Sequence, residues 1–227
     1  MISIFGLLFY AELLSAFDVD NISTVALMFQ SGYLTIMHTE QVAGSTYYIL
    51  GFPNHEVRMS FYGSLLRIWV DNPEQEIKNK MRLPGLLATG DFVALKALFQ
   101  AFFSRSPDRS IPYNWYTNNP IAHFEGYYAG LFYAYFAASG LDVRVEEATS
   151  HGRIDMTVHT GVHIYIFEFK VVELSPTGAA LQQIKNKCYA DKYRGQGLPI
   201  YLVGVEFSRN TRNVVGMDVE CLGVEGN

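Results

Sequence analysis

Polar and apolar residues alternate along two short stretches of the sequence, at positions 153–159 and 164–170, with a glycine-containing turn between them. Alternation with a period of two predicts half-buried strands, and the short turn predicts that the strands form a hairpin. In the first stretch the even-numbered residues, Ile154, Met156 and Val158, are apolar and the odd-numbered residues are polar. In the second stretch the even-numbered positions carry two isoleucines, a glutamate and a lysine. One face of the predicted hairpin therefore bears the charged groups.

Two carboxylates meet on this charged face. A two-residue turn over positions 161 and 162 places Asp155 directly opposite Glu168, and a turn one residue earlier leaves the two diagonal to each other. Lys170 shares their face. Neighbouring carboxylates repel each other, and a divalent cation such as Mg²⁺, which prefers oxygen ligands, removes the repulsion. The alternative is a solvated strand face on which Lys170 neutralises Glu168.

A long apolar segment precedes the hairpin. The pair Asn119-Pro120 is typical of a helix start, and the sequence predicts a helix from there to Ser139 that is apolar nearly all round. Such a helix is expected at the centre of the fold, yet it carries Glu125. In one interpretation Glu125 is exposed and stabilised by the helix dipole. In the other it lies against the carboxylate face.

The remaining elements of the second half can be predicted from their patterns. Gln183 and Lys187 share one face of a helix that is predicted to start at Ser175-Pro176 and to reach about Tyr193. The predicted strands are 141–148, the first of the core sheet, 200–207, which is uniformly apolar and so buried on both faces, and 214–222, an edge strand.

Residues 1–84 are predicted to form a small separate unit. Asn54 is predicted to cap a helix, and the breakers Leu83-Pro84-Gly85 and Thr89-Gly90 are predicted to bracket a linker to the rest of the chain. The predicted elements of this unit are a helix over 25–29, strands over 33–36 and 47–50, and a helix over 56–69. The apolar run over 2–17 contains Glu12, is shorter than the roughly 20 residues of a membrane span and lacks the positive flank of a signal. It is predicted to be a buried or partner-covered helix.

Composition adds bounds to this picture. The chain has 227 residues, is 49% hydrophobic and 17% charged, and carries a net charge of −5, which fits one or two compact domains and argues against a generally adhesive nucleic-acid binder. Cys188 and Cys221 provide no disulfide framework or zinc pattern, so a reducing, cytoplasmic location is expected.

Between positions 176 and 213, six basic residues and two acidic ones give a local charge of +4. This segment is either a patch for a phosphate backbone or a solvated helix face. The four histidines near the hairpin are interpreted as non-ligands because no pair has helical ligand spacing: His123, His151, His159 and His163.

The residues of the hairpin resemble a known signature. Asp155, followed by Glu168-Phe169-Lys170 on the next strand, resembles the PD-(D/E)XK nuclease superfamily. The wider sequence is similar to the nuclease-like module found behind AAA-ATPase-like domains in many bacterial proteins. The stretches that carry this likeness are Glu125-Gly-Tyr-Tyr, Gly152-Arg-Ile-Asp155, Ile166-Phe-Glu-Phe-Lys170 and Gln183-Ile184 running on to Tyr193. Ile154 stands where the proline of the first motif would be, a variant that is common in this branch.

The resemblance implies a restriction-endonuclease-like α/β core over residues 85–227, with a mixed sheet flanked by helices, preceded by a winged-helix-like α+β unit over 1–84. It implies a metal-dependent nuclease that hydrolyses phosphodiester bonds, with DNA as the expected substrate and Mg²⁺ or Mn²⁺ as the cofactor. The implied partners are nucleic acid and an upstream AAA-ATPase-like domain or a second copy of the chain, with no membrane. The alternative is a catalytically inactive nuclease-like module that binds nucleic acid or protein.

The resemblance also assigns roles to residues. Asp155, Glu168 and the backbone carbonyl of Phe169 would hold the metal, with Glu125 as an outer ligand through water. Lys170 would position and activate the attacking water or neutralise charge on the phosphate. Gln183 would orient the substrate or the metal-bound water.

Overall fold

The computed structural model describes residues 8–10, 22–67, 73–104 and 125–223. Contacts between Cα atoms divide the chain into two compact units, Met1–Ser64 and Leu65–Asn227. The described helices are α1 (Thr24–Gln30), α2 (His55–Arg67), α3 (Pro73–Thr89), α4 (Phe92–Phe103), α5 (Glu125–Ala138) and α6 (Ala179–Asn186), with 3₁₀ turns at Tyr189–Lys192 and Arg194–Gln196. The described strands are β1 (Leu8–Tyr10), β2 (Thr35–Val42), β3 (Ser45–Gly51), β4 (Asp142–Thr149), β5 (Gly152–His159), β6 (Ile164–Val172), β7 (Ile200–Ser208) and β8 (Val214–Leu222). No helix in these ranges is both long and apolar enough to cross a membrane.

The first unit contains a three-stranded antiparallel sheet in the order β1-β3-β2. Helix α1 precedes the β2–β3 hairpin and α2 follows it, as predicted, and the Asn54 side chain accepts a hydrogen bond from the Val57 backbone N–H at 2.9 Å. Ring contacts join Phe52 to Phe61 and Tyr62 of α2. The winged-helix-like interpretation of this unit and the boundary at residue 84 stay predictions.

Two predictions for the first ninety residues were wrong. Leu8–Tyr10, inside the run predicted to be a helix, form a strand because their backbone pairs with β3; the rest of that run lies outside the described residues. The predicted linker between Leu83-Pro84-Gly85 and Thr89-Gly90 is instead helical, because α3 continues to Thr89. Proline weakens a helix interior, but Leu83 and Leu87 are fully buried and the Tyr165 hydroxyl donates to the Leu87 carbonyl at 2.5 Å. These tertiary contacts outweigh the local signal.

The second unit is built on a five-stranded sheet in the order β4-β5-β6-β7-β8. All neighbouring strands are antiparallel except β6 and β7, which are parallel and are connected through α6. The sheet is therefore mixed and flanked by helices, as predicted, and it is consistent with a restriction-endonuclease-like core.

Aromatic side chains of α5 cover one face of this sheet. Phe132 meets Phe169 edge-on with ring centroids 5.1 Å apart, and Tyr128 stacks on Phe207 at 4.1 Å. Phe132 also contacts α4, where Phe99 stacks on it at 3.7 Å. Because α5 contacts both the sheet and α4 and all of its residues from Phe132 to Ala138 are buried, the prediction that this helix is central is confirmed.

The opposite face of the sheet packs against α6 and the 3₁₀ turn that follows it. The buried residues of this cluster include Ile164, Ile166, Leu202, Ile184, Tyr189 and Tyr193. Ile154 belongs to the same cluster, although strict alternation put it on the other face with Met156. The backbone of the neighbouring strand is irregular beside this position: Glu146 on β4, next to the partner of Ile154, has a φ of +52°.

Candidate active site

The hairpin register brings Asp155 next to the strand that carries Glu168. Met156 pairs with Phe167, and the Thr160 backbone N–H donates to the His163 carbonyl at 3.1 Å, which is the register of a turn over positions 161 and 162. Beyond the last recorded pair, Asp155 Oδ2 accepts a hydrogen bond from the Phe169 backbone N–H at 3.0 Å. Burial raises the pKa of the Asp155 carboxyl, and this hydrogen bond and the charge of Lys170 only partly compensate.

Glu168 is the most deeply buried of the candidate polar side chains, with 1% of its surface exposed. The Gln183 side-chain amide donates to its Oε1, whereas Oε2 is buried and has no hydrogen-bond partner among the described residues. Burial, together with the charge of Asp155, raises the pKa of Glu168 to about 8. A buried acceptor without a donor is uncommon in native proteins and calls for a partner.

Lys170 supplies the positive charge of the site. Its Nζ lies 3.1 Å from Glu125 Oε2 and 3.8 Å from Glu168 Oε1. Burial alone would lower the pKa of this ammonium, but the hydrogen bond that it donates to Glu125 and the charges of the surrounding carboxylates raise its pKa above the ordinary value. The group is therefore held protonated while a quarter of its side chain remains exposed.

Glu125 stands at the first described residue of α5, and its contact with Lys170 connects this helix to the hairpin. The predicted cap at Asn119-Pro120 lies outside the described residues. Because Glu125 pairs with Lys170, it is not simply a solvated residue at the helix end. The structure thus brings together all of the sequence-predicted side chains: Asp155, Glu168, Lys170, Glu125 and Gln183.

Tyr189 supports the strand that leads to Asp155. Its hydroxyl donates to the Arg153 carbonyl at 2.8 Å. At Gly152, with a φ of +145°, an added Cβ would lie 3.1 Å from that hydroxyl. The glycine before Arg153 is therefore required both by its backbone conformation and by the close approach of the tyrosine.

A second polar cluster was missed by the sequence interpretation. Glu147 accepts hydrogen bonds from the Thr157 hydroxyl at 2.5 Å, from the Tyr193 hydroxyl and from Lys192 Nζ at 3.1 Å. Burial would raise the pKa of this carboxyl, but the three donors lower it overall. The available signal was a pair of adjacent glutamates, and alternation alone does not tell which of the two points inward.

The basic segment over 176–213 is less positive than its composition indicates. Four of its six cations form ion pairs, and three of the acidic partners come from outside the counted segment. The pairs are Lys185–Glu220 at 2.7 Å, Lys192–Glu147 at 3.1 Å, Arg194–Asp191 at 3.0 Å and Arg209–Glu173 at 2.5 Å.

The described histidines contact other groups. His159 packs on the Tyr193 ring, and the Tyr165 hydroxyl lies 3.2 Å from His163 Nδ1. His151 lies 2.9 Å from the Ser150 hydroxyl, and His123 lies outside the described residues. Within the described ranges, no group of three or more His, Cys, Asp and Glu side chains is arranged to hold a metal ion. Asp155, Glu168 and the backbone carbonyl of Phe169 stay the predicted metal ligands.

Comparisons with known proteins agree with this geometry. A model of the PD-(D/E)XK nuclease superfamily matches residues 123–217, which include every candidate site residue, so the predicted resemblance to this superfamily is confirmed. The chain is also 56% identical over 211 residues to a protein of Azotobacter chroococcum mcd 1 described as an uncharacterized protein in the vnfD 5′ region. This alignment covers 93% of the present chain and 40% of that relative's length. No solved structure matches the chain.

Proposed function

Because residues 123–217 belong to the PD-(D/E)XK nuclease superfamily, we propose that this region hydrolyses phosphodiester bonds of nucleic acid in a metal-dependent reaction. The observation that supports the proposal most strongly is Glu168 Oε2, which lies buried near Asp155 and has no hydrogen-bond partner in the part of the chain that the structure describes. An unsatisfied carboxylate oxygen in the interior is costly, and a cation is the partner that removes the cost. A purely structural carboxylate would be expected to have both oxygens satisfied by donors.

The donor set fits Mg²⁺ or Mn²⁺. Asp155, Glu168 and the carbonyl of Phe169 would hold the ion, and Glu125 would act from further away through water. Both carboxylates are already oriented, one by the Phe169 N–H and the other by Gln183. When bound, such an ion polarises a phosphoryl oxygen and lowers the pKa of a coordinated water.

Lys170 has the features that a phosphate-facing cation needs. Its ammonium is charged, partly exposed and held in place by Glu125. In the proposed reaction it donates hydrogen bonds to the attacking water or to the phosphate and stabilises the charge that develops there. Gln183 keeps the Glu168 carboxylate turned so that Oε2 remains available.

The substrate that we propose is DNA. The test is cleavage of labelled single- and double-stranded DNA and RNA with Mg²⁺ or Mn²⁺. Asp155→Asn and Lys170→Ala should each reduce the rate by at least about a hundredfold, since each removes an electrostatic element of the reaction. Asp142→Asn and Arg144→Ala serve as controls, because these two residues form an exposed ion pair with each other on β4 of the same unit, and these variants should keep full activity.

Activity that persists in both site variants and in EDTA would defeat the proposed chemistry. A chain that binds nucleic acid or protein but never cleaves would instead support the inactive nuclease-like module. The AAA-ATPase-like partner, the homodimer and the cytoplasmic location remain predictions. The present chain spans about 40% of the length of its curated relative, so these are properties of a whole protein to be tested in that context.

A further inference from the structure

Glu206 is a buried carboxylate that none of the steps above uses. It lies on β7, is 1% exposed, and accepts hydrogen bonds from the Thr177 backbone N–H at 2.5 Å and hydroxyl at 2.9 Å. The Ala180 backbone N–H donates to it at 3.3 Å. Burial alone would raise its pKa, but these donors and the Gly178 N–H keep the pKa below the ordinary value. Glu206 is therefore a charged group whose acceptor sites are filled by one short segment.

That segment is the start of α6. The first residues of a helix have backbone N–H groups without partners in the helix, and a side-chain oxygen usually satisfies them. Here the capping residue is Gly178, which has a φ of +74° and no side chain to accept these bonds. A carboxylate from the neighbouring strand takes over the role, and its charge also suits the helix dipole.

Close packing fixes α6 at the same place. A Cβ added to Gly204, two residues before Glu206 on β7, would lie 2.3 Å from the backbone nitrogen of Leu181. A Cβ added to Gly216 would lie 2.9 Å from Pro176 Cβ and 3.3 Å from Glu206 Cβ. The helix start thus rests directly on the sheet backbone, and the Glu206 hydrogen bonds determine its position there.

This anchoring point is one helical turn from the candidate site. Gln183 follows Ala180 by three residues and donates to Glu168 Oε1, and Glu168 is the register partner of Gly204. We propose that Glu206 is a positioning residue, which by capping α6 holds the Gln183 amide on Glu168 and so leaves Glu168 Oε2 free for the metal. The inference rests on the proposed metal site.

The experiment uses the full chain and the variants Glu206→Gln and Glu220→Gln. Glu220 is the matched control because it also contacts α6, through Lys185, but on the surface. The first readout is hydrogen exchange of the Gln183 side-chain amide in metal-free protein, with its NMR signals assigned by their loss in Gln183→Ala. Glu206→Gln should speed this exchange by about tenfold, because the amide is released from Glu168. Glu220→Gln should leave it unchanged.

The second readout is Mg²⁺ affinity by calorimetry. Glu206→Gln should weaken it by about tenfold, a usual effect for a residue that supports a ligand. In the Gln183→Ala background the same substitution should have no further effect, since the two act through one contact. If Glu206→Gln does not fold, Thr177→Val, which removes one donor to Glu206, should change both readouts in the same direction by about threefold.

The two proposals fail in different ways. The positioning role is overturned if the hydrogen exchange of Gln183 is unchanged in Glu206→Gln or in Thr177→Val. It is also overturned if Glu206→Gln and Gln183→Ala have additive effects on Mg²⁺ affinity. If the wild-type chain binds no Mg²⁺ while Gln183 exchange still depends on Glu206, the proposed function fails and the positioning of Gln183 stands.

Discussion

The two oxygens of the Glu168 carboxylate have different surroundings, and the difference indicates what each does. Oε1 receives the Gln183 amide, while Oε2 is buried without a donor among the described residues. Without a cation, the group reduces the cost of burial and of repulsion by Asp155 by binding a proton, which is why its pKa is about 8. Proton and metal ion should therefore compete for this carboxylate.

The first prediction concerns this competition. Below about pH 8 the metal must displace the Glu168 proton, so Mg²⁺ or Mn²⁺ affinity should rise by about tenfold per pH unit and level off above pH 8. Calorimetric titrations at pH 6.5, 7.5 and 8.5 measure the trend, and buffers of different ionisation enthalpy count the released proton. An affinity that does not change with pH across this range would contradict the assignment of Glu168 as a ligand.

The second prediction concerns stability without metal. Glu168 binds a proton up to about pH 8 in the folded protein but only up to about 4.5 in the unfolded chain. The folded state therefore holds more protons between these values, and its contribution to stability, complete below pH 4.5, is lost as the pH rises through 8. Urea unfolding in EDTA should show a loss on the order of 3 kcal/mol between pH 5 and 9.

Glu168→Gln is the control for this loss, because the amide does not titrate. Other groups change stability over the same range. The pKa of His159 is lowered, mainly by burial, so its contribution to stability rises with pH, opposite to that of Glu168. The difference in stability between wild type and Glu168→Gln therefore measures the contribution of Glu168 alone. If both proteins lose the same amount of stability, the raised pKa of Glu168 is wrong.

At the scale of single residues, the sequence predicted correctly which charged side chains share a face of the hairpin, because strand alternation and turn length determine this. Asp155, Glu168 and Lys170 were predicted to meet because side chains alternate along each strand, and both turn positions that the sequence allows put Asp155 on the face of Glu168. Glu147 was missed because its orientation depends on the positive φ of Glu146, which no local pattern reveals. Its partner Tyr193 is 46 residues away in the chain.

At the scale of elements, Glu147 joins β4, β5 and the turn after α6, and the third prediction tests that connection. Glu147→Gln should lower the free energy of unfolding by about 2 kcal/mol, because the amide nitrogen cannot accept from Thr157, Tyr193 or Lys192. The neighbouring Glu146 is half exposed and pairs with Arg153 on the surface, so Glu146→Gln should change stability by less than about 0.5 kcal/mol. Urea unfolding at pH 7 measures both, and equal effects would contradict the structural role of Glu147.

Elements were predicted well wherever one signal was dominant. Helix α2 begins after its predicted Asn54 cap, whose side chain accepts from the Val57 N–H at 2.9 Å, and α5 is central because it is apolar nearly all round. The prediction failed where tertiary contacts oppose local propensity, as at Pro84 inside α3. It failed again at Leu8–Tyr10, where an apolar sequence fits a helix and a strand equally well and pairing with β3 decides.

At the scale of the whole molecule, the charge of a surface depends on the ion pairs that form in the folded structure. The segment over 176–213 has a composition of +4, yet ion pairs with Glu220, Glu147 and Glu173 bring negative charge next to it. A cation that is already paired releases fewer counterions from nucleic acid. The proposed binding of DNA should therefore depend only weakly on salt.

The last prediction is that this dependence can be increased by design. For wild-type chain in EDTA, log K for a labelled duplex should fall with log[salt] with a slope of about −2. The double variant Glu173→Gln/Glu220→Gln releases Arg209 and Lys185, so the slope should steepen by up to about 2 and the affinity should rise at low salt. Asp142→Asn, which frees Arg144 on β4, is the control for charge alone. Fluorescence anisotropy across 50–300 mM salt gives the slopes. If the slope changes by the same amount per removed negative charge in the control and in the double variant, the affinity for DNA depends on the net charge of the chain. In that case the segment over 176–213 is not the binding surface.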